Sequence, residues 1–356
     1  MNTVVYISDS GYYIPTLVSI SSLICSVKDE SDQYAVACIY KGFSAEQKAR
    51  MADMQSGNVT IKLIDADNLT LKGSEILGDT YICNGSATPA ALIKFSLADI
   101  FQDTNKLLYV DGDTIIKRSP SDLFRVDLGN NYAGVVLDIE AVSHDSNIEV
   151  LKRIPNYFNS GVMLLNAQLL REREVCLELY STKRERLQES LMDQNVLNEV
   201  FNGKTVLLPI KYNYQLQLAT DNIYLWKLSI AKFNDIYRTD YMNWDQVTDD
   251  AVVLHYASGS KPWKFSDAPG VAYWDRYYSD SPLAHKPLKR KKLNMESVYN
   301  IFRAHCFRRP LMILLDLRRY GFNIAYRRYA PSIKARIVRA FRLKRIAISE
   351  IDDKVK

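Results

Sequence analysis

Lys106-Leu-Leu-Tyr-Val-Asp-Gly-Asp113 holds four apolar residues in a row, without alternation, followed by two carboxylates one residue apart. Such a run reads as a strand buried on both faces of a sheet. On its amino-terminal side the chain alternates between two periods. Residues 3–7 form a β-branched run ended by Ser-Asp-Ser-Gly, 13–27 carry helical spacing, and 34–39 read as strand. A helix over 44–55 follows, with Ser44 as cap and Gln47 at the capping-box position, then a strand over 59–64. Alternation of this kind implies a parallel sheet with helices on its faces. Residues 65–87 have no sustained period and read as a loop, and a helix over 89–101 leads into the central strand. Beyond it the expected order is a short helix (121–124), strands (132–137 and 161–165), two helices (169–187 and 192–201) and two short strands (206–208 and 252–255), with no internal repeat.

The chain has 356 residues, 47% hydrophobic and 24% charged, an ordinary globular composition that excludes collagen-like, low-complexity and largely disordered classes. Cys25, Cys38, Cys83, Cys176 and Cys306 are scattered without a Cys-x-x-Cys pair, and read as buried thiols in a reducing compartment. The amino terminus, MNTVVYISDSGYY, lacks a basic leader segment and its apolar run stops at Ser8-Asp9, so no export signal is expected. The run Leu311 to Leu315, closed by Asp316, falls far short of the roughly 20 apolar residues a spanning helix needs.

Charge is segregated. Residues 286–345 hold 18 Lys and Arg against 2 Asp and Glu, whereas the remainder holds 28 against 39. We therefore divide the chain into a main domain, 1–285, and a basic carboxyl-terminal region, 286–356. Within that region Met295, Val298, Phe302 and Cys306 share one helical face; Ile333, Ile337 and Phe341 share another, opposite Arg336, Arg339 and Arg342. This is the layout of an interfacial helix, and its expected partner is an anionic membrane surface. Nucleic acid is not an expected partner, because the rest of the chain is acidic and carries no recognised binding motif.

Two places carry candidate chemistry. Ligands of open α/β sheets bind beyond the carboxyl ends of central strands, and Asp111 and Asp113, with Gly112 relaxing the backbone between them, suit a divalent cation that keeps positions open for phosphate oxygens. Asp65-Ala66-Asp67 has the same spacing but follows an alternating, half-exposed strand, and reads as a solvated turn. The second place is His255-Tyr-Ala-Ser-Gly-Ser-Lys-Pro-Trp263, where an imidazole at a strand end precedes a lysine in a Gly/Ser-rich loop. It reads as a metal ligand beside a phosphate-binding loop.

Taken in order, Ile7-Ser-Asp-Ser-Gly-Tyr12, Tyr109-Val-Asp-Gly-Asp113, Phe158-Asn-Ser-Gly-Val162 with Leu165-Asn166, Asp193-Gln194 before Val196-Leu197-Asn198, and His255 through Lys261-Pro-Trp263 resemble glycosyltransferase family 8. The likeness is to its bacterial lipopolysaccharide galactosyl- and glucosyltransferases, and it covers roughly residues 3–265. It implies the GT-A fold, a Rossmann-like mixed α/β sheet with flanking helices, here followed by the basic α-helical tail. It also implies a retaining enzyme that moves a hexose from a UDP-sugar to a glycan or lipid-linked saccharide, with Mn2+ as cofactor and Mg2+ as the alternative. By position, Asp111, Asp113 and His255 would hold the metal and Lys261 would meet the diphosphate. Asp9 and Tyr12 would contact uridine, Tyr12 by stacking. Asn159, Asp193 and Gln194 would line the donor sugar, Gln194 near the anomeric carbon, with Ile7, Gly112 and Ser258 completing the donor contacts. With Asp193 and Gln194, Lys94 is the third candidate catalytic residue, expected to contact the donor sugar or diphosphate. Two positions depart from the family pattern: Lys94 stands where Arg is common, a point charge for a bidentate fork, and Ser258 stands where Gly is common. The expected location is the cytoplasm, peripheral on the inner face of the cytoplasmic membrane. Two rival readings are a phosphohydrolase with Asp111 as nucleophile and Asp113 as acid/base, and a non-catalytic membrane anchor.

Overall fold

The structure, a computed structural model, describes residues 1–77, 92–143, 148–185, 193–216 and 229–292. Its centre is a seven-stranded sheet with strand order β3-β2-β1-β4-β7-β6-β8. The strands are β1 (Asn2–Asp9), β2 (Tyr34–Lys41), β3 (Val59–Asp65), β4 (Leu107–Val110), β6 (Ala133–Leu137), β7 (Phe158–Leu165) and β8 (Thr205–Leu207); β5 (Thr114–Ile116) pairs antiparallel with β9 (Val253–His255) in a small second sheet. All four β4 residues are buried, as their unbroken apolar run predicts.

Side chains of the central strands point alternately into two cores, as the period of two requires. Val4, Tyr6, Leu108 and Val110 face one, with the helix Tyr13–Val27 and β5 and β9. Val5, Leu107 and Tyr109 face the other, with Ile93, Phe95 and Leu97 and the helices that follow β7. The helix Tyr13–Val27 presents Ser19 and Ser22 to β5: Ser19 Oγ lies 2.7 Å from Thr114 Oγ1, and Ser22 Oγ accepts the Ile116 amide at 2.8 Å. Those buried hydroxyls fix β5 against the helix by meeting polar groups that would otherwise go unpaired.

The capping box at Ser44 and Gln47 forms as expected and starts the helix Ala45–Ala52. The sheet is mixed, as the family likeness implies and unlike the all-parallel sheet that strand–helix alternation alone suggests, because β7 runs antiparallel to both β4 and β6. Several expectations need correction. β7 begins at Phe158, three residues before the strand read from sequence. The described part of the helix expected over 89–101 contains a 3-10 turn at Lys94–Ser96 before the α-helical Leu97–Ile100. The helix expected over 169–187 is two helices, Ala167–Glu172 and Val175–Glu185, parted at Glu174 with φ 50°. Cys25 is exposed, while Cys38 and Cys176 are buried as expected; Cys83, Cys306 and the carboxyl-terminal amphipathic faces lie outside the described residues. Residues 286–292, read as the start of the tail, hydrogen-bond to the body: the Lys291 amide donates to the Lys264 carbonyl and the Lys291 carbonyl accepts from the Ser266 amide, both at 2.9 Å. Among the described residues no helix is long and apolar enough to cross a membrane.

Candidate active site

The carboxyl ends of β1, β4 and β6 and the amino end of the reversed β7 meet at one edge of the sheet. Asp111 follows Tyr109 by two residues and so shares its face, where the Tyr109 hydroxyl donates to Asp111 Oδ1. Asp113 reaches the same place by another route. The β5–β9 pairing sets Thr114 opposite His255, and the Tyr256 amide donates to the Asp113 carbonyl at 2.9 Å. His255 Nε2 thus lies 3.3 Å from Asp113 Oδ1 and 3.9 Å from Asp111 Oδ2. Its Nδ1 is 2.8 Å from Asn213 Oδ1, which orients the ring. Asp113 and His255 are 7% and 3% exposed. Burial pushes the Asp113 carboxyl upward, yet the Lys261 ammonium and His255 outweigh it and hold the group below the usual carboxylate range.

One end of this edge is polar and tightly cross-linked. Lys94, its side chain 9% exposed, places Nζ 2.7 Å from Asp193 Oδ2 and 3.3 Å from Asp111 Oδ1, and 4.8 Å from the centre of the Tyr109 ring. Burial opposes its charge, but Asp111 and Asp193 more than compensate and hold the ammonium above the ordinary lysine value. Gln194 Oε1 accepts from the Ser160 amide at 3.1 Å and from Asn159 Nδ2 at 3.3 Å, while its Nε2 donates to Asp138 Oδ2 at 3.2 Å. Asn159 also donates to Asp138 at 3.1 Å, and its Oδ1 accepts from Asn213 Nδ2 and the Gly161 amide, each at 3.0 Å.

At the other end Asp9 Oδ1 accepts the Tyr12 amide at 2.9 Å. The Tyr12 ring meets Trp263 edge to face, centroids 5.8 Å apart. Burial, then the carboxylates of Asp113, Asp111 and Asp9, push its phenol above the ordinary tyrosine value, so it stays protonated. Lys261 donates to Asp113 Oδ2 and to the Tyr256 carbonyl, each at 2.5 Å, so its ammonium sits beside the carboxylate pair. Ser258 is buried next to it, and its Oγ accepts the Ser260 amide at 3.2 Å. Ile7 is half-buried at the end of β1. Gly112 has no room for a side chain, since a Cβ there would lie 2.1 Å from Thr16 Oγ1.

The residues present fit a divalent cation. Asp111, Asp113 and His255 each offer a ligand atom within 4.8 Å of the others, a two-oxygen, one-nitrogen set suited to a borderline metal. Asp113 Oδ1 is buried with His255 Nε2 3.3 Å away but no well-formed hydrogen bond, and such an oxygen is costly unless something binds it. Gly161 keeps the space open: a Cβ there would lie 2.3 Å from His255 Cε1 and 2.7 Å from Asp111 Oδ2. The control pair behaves differently, with Asp65 accepting from the Tyr40 hydroxyl and Asp67 pairing with Lys41 at the sheet edge.

The structure brings the candidate metal and donor residues, Ile7 to Lys261, to one end of the sheet's strands. It adds Asp138 and Asn213, which sequence reading did not name. Asp138 had the signal that drew attention to Asp111, a carboxylate directly after an apolar strand. Asn213 had none, because its loop is irregular.

The sequence model of glycosyl transferase family 8 matches residues 3–267. A lipopolysaccharide 1,2-glucosyltransferase of Escherichia coli K12 is 28% identical over 289 residues, covering 78% of this chain and 78% of that one. Glycosyltransferase GlyE of Streptococcus pneumoniae is 24% identical over 213 residues, covering 58% and 46%. Among solved structures, the galactosyltransferase LgtC in complex with donor and acceptor sugar analogues superposes with TM-score 0.57 at 20% identity, covering 79% of this chain and 96% of LgtC. The fold expected from the sequence is the one seen in that structure.

Proposed function

Because the chain belongs to glycosyl transferase family 8 and is a glycosyltransferase, we propose that it moves a hexose, galactose or glucose, from a UDP-sugar to a glycan or lipid-linked saccharide of the cell envelope, with retention at the anomeric carbon. The observation that carries the reading is the cluster of Asp111, Asp113 and His255, the last two buried, with an Asp113 oxygen that makes no well-formed hydrogen bond. These three would hold Mn2+, or Mg2+ in its place, which when bound offsets the charge that builds on the departing diphosphate. Two Escherichia coli relatives, both lipopolysaccharide 1,2-glucosyltransferases, support an envelope acceptor.

The chain's own residues have distinct tasks. Asp9 and Tyr12 bind the nucleoside, Tyr12 offering a ring held by Trp263. Lys261, now on Asp113, is within reach of a diphosphate that bridges the site and adds a positive charge where the leaving group develops a negative one. Lys94, Asn159, Asp193 and Gln194 line the sugar. Gln194 is fixed on both sides, by the Ser160 amide and by Asp138, so its amide is pre-oriented. Asp193 is committed to Lys94 at 2.7 Å, which weakens it as a covalent nucleophile. We therefore favour front-face substitution, in which the departing phosphate helps take the acceptor's proton. The phosphohydrolase reading gives His255 no task, whereas its ring is buried between the two aspartates. Enzymes of this kind would work on the inner face of the cytoplasmic membrane.

The test is hydrolysis of a panel of UDP-sugars without acceptor. Slow release of UDP that needs Mn2+ or Mg2+ is expected for UDP-galactose or UDP-glucose, and Asp113→Ala should abolish metal-dependent UDP binding in calorimetry. Full UDP binding by Asp113→Ala would overturn the metal assignment, and no turnover of any UDP-sugar would overturn the donor.

A further inference from the structure

The turn that carries Lys261 closes on itself, with the Lys264 and Phe265 amides both donating to the Lys261 carbonyl. Its outer edge is held from elsewhere. Lys291 takes up the Lys264 carbonyl and the Ser266 amide, a parallel bridge across Phe265. The residue before it, Arg290, has a side chain only 13% exposed, and its guanidinium forks onto both carboxylate oxygens of Asp275. The same guanidinium lies 5.3 Å over the ring of Trp274, the neighbour of Asp275 on the helix Val271–Ser279. Trp274 is fully buried and its ring centroid is 5.9 Å from that of Trp263. Trp263 in turn meets Tyr12, and the Lys261 ammonium sits 5.7 Å over its ring. A continuous set of contacts therefore runs from Arg290 through two tryptophans to the two groups assigned to the nucleoside and the diphosphate.

We infer that Arg290 is a positioning residue for donor binding: clamped on Asp275 and Trp274, it holds the strap of residues 286–292 against the 261–266 turn and so fixes Trp263, Tyr12 and Lys261. The inference rests on the UDP-sugar reading for what Tyr12 and Lys261 bind. A bidentate Arg–carboxylate pair has a fixed geometry that a point charge lacks, and its cation stacked on an indole adds a second constraint on the ring. When that clamp is lost, the Lys291 bridge is left to two backbone hydrogen bonds, and the tryptophan pair loses its cover. The expected consequence falls on UDP affinity and on order in the turn.

The test uses full-length protein bearing Arg290→Met, Arg290→Lys, Arg290→Asp, Asp275→Arg, or the exchange Arg290→Asp with Asp275→Arg. Two quantities are read: UDP affinity in the presence of Mn2+ by calorimetry, and amide hydrogen exchange of the 258–266 peptide without any ligand. Arg290→Met should weaken UDP binding about five- to tenfold and speed exchange in that peptide. Arg290→Lys should recover part of both, and the charge exchange should recover more than either of its single changes. Unchanged exchange in the peptide overturns the inference, as does a UDP affinity within about twofold of wild type. Asn166→Ala, which removes the cap of the helix Ala167–Glu172 at the carboxyl end of β7, away from the site, controls for general destabilisation, and an equal affinity loss there would overturn it too. Absence of UDP binding by the unaltered protein would overturn the donor reading instead, while peptide exchange would still report whether Arg290 holds the turn.

Discussion

Lys94 links a proposed metal ligand to a proposed sugar contact, Asp111 to Asp193, which makes it more than a solvated helix lysine. Lys94→Met would leave both carboxylates without their cation. It is expected to cost about 2 kcal/mol of stability, less than a fully buried pair because Asp111 is partly open to water. Turnover should fall at least about tenfold. Lys94→Arg should restore much of both, since it supplies the family's common residue. Urea denaturation beside steady-state kinetics separates the two effects, and unchanged turnover would confine Lys94 to a structural role. Gly161 gives a second test at this scale. Gly161→Ala pushes a methyl into His255 and Asp111, so metal-dependent UDP binding should drop by about a hundredfold or more, and calorimetry with and without Mn2+ checks it. Asp111, Asp113 and His255 were legible because each follows an apolar strand. Asp138 and Asn213 escaped because their importance lies in partners distant in sequence, Gln194 and His255.

Elements were legible wherever a period ran for several turns or a cap announced a start. Ser44 is the clearest case; its capping box touches none of the candidate site residues, although Glu46 on the same helix pairs with Lys286. Ser44→Ala should cost about 1 kcal/mol in urea denaturation and leave UDP affinity unchanged; a loss of affinity would mean that the helix Ala45–Ala52 communicates with the nucleotide end. Short elements were not legible. β5 has three residues and gives no periodic signal, yet it carries Asp113 to His255. The break at Glu174 was hidden too, because a left-handed backbone angle at a glutamate leaves no trace in hydrophobic pattern. The reversal of β7 depends on the crossover between strands and not on any strand's own sequence.

Across the whole molecule the sequence separates an acidic catalytic part from a basic end, and the body is compact through Lys292. We expect the basic residues beyond it to attach the enzyme to anionic lipid, each worth about 1 kcal/mol near the surface and screened over about 8 Å at physiological salt. Vesicle co-sedimentation of the full chain should exceed that of a chain ending at Lys292 on anionic vesicles at low salt, and the difference should vanish on neutral ones; equal sedimentation of the two would refute membrane attachment by the tail. The chain folds with a particular timetable as well. The carboxylates of the cluster arrive early in synthesis, at 111 and 113, whereas their imidazole partner arrives at 255, and β5 has no strand partner until β9 exists. Pairing so distant in sequence forms late, because its loop-closure cost is met only once intervening structure is in place. A nascent or truncated chain lacking β9 therefore presents two aspartates without their imidazole, and the proposed cation site, with the donor capture proposed to depend on it, would form only after β9 has been made.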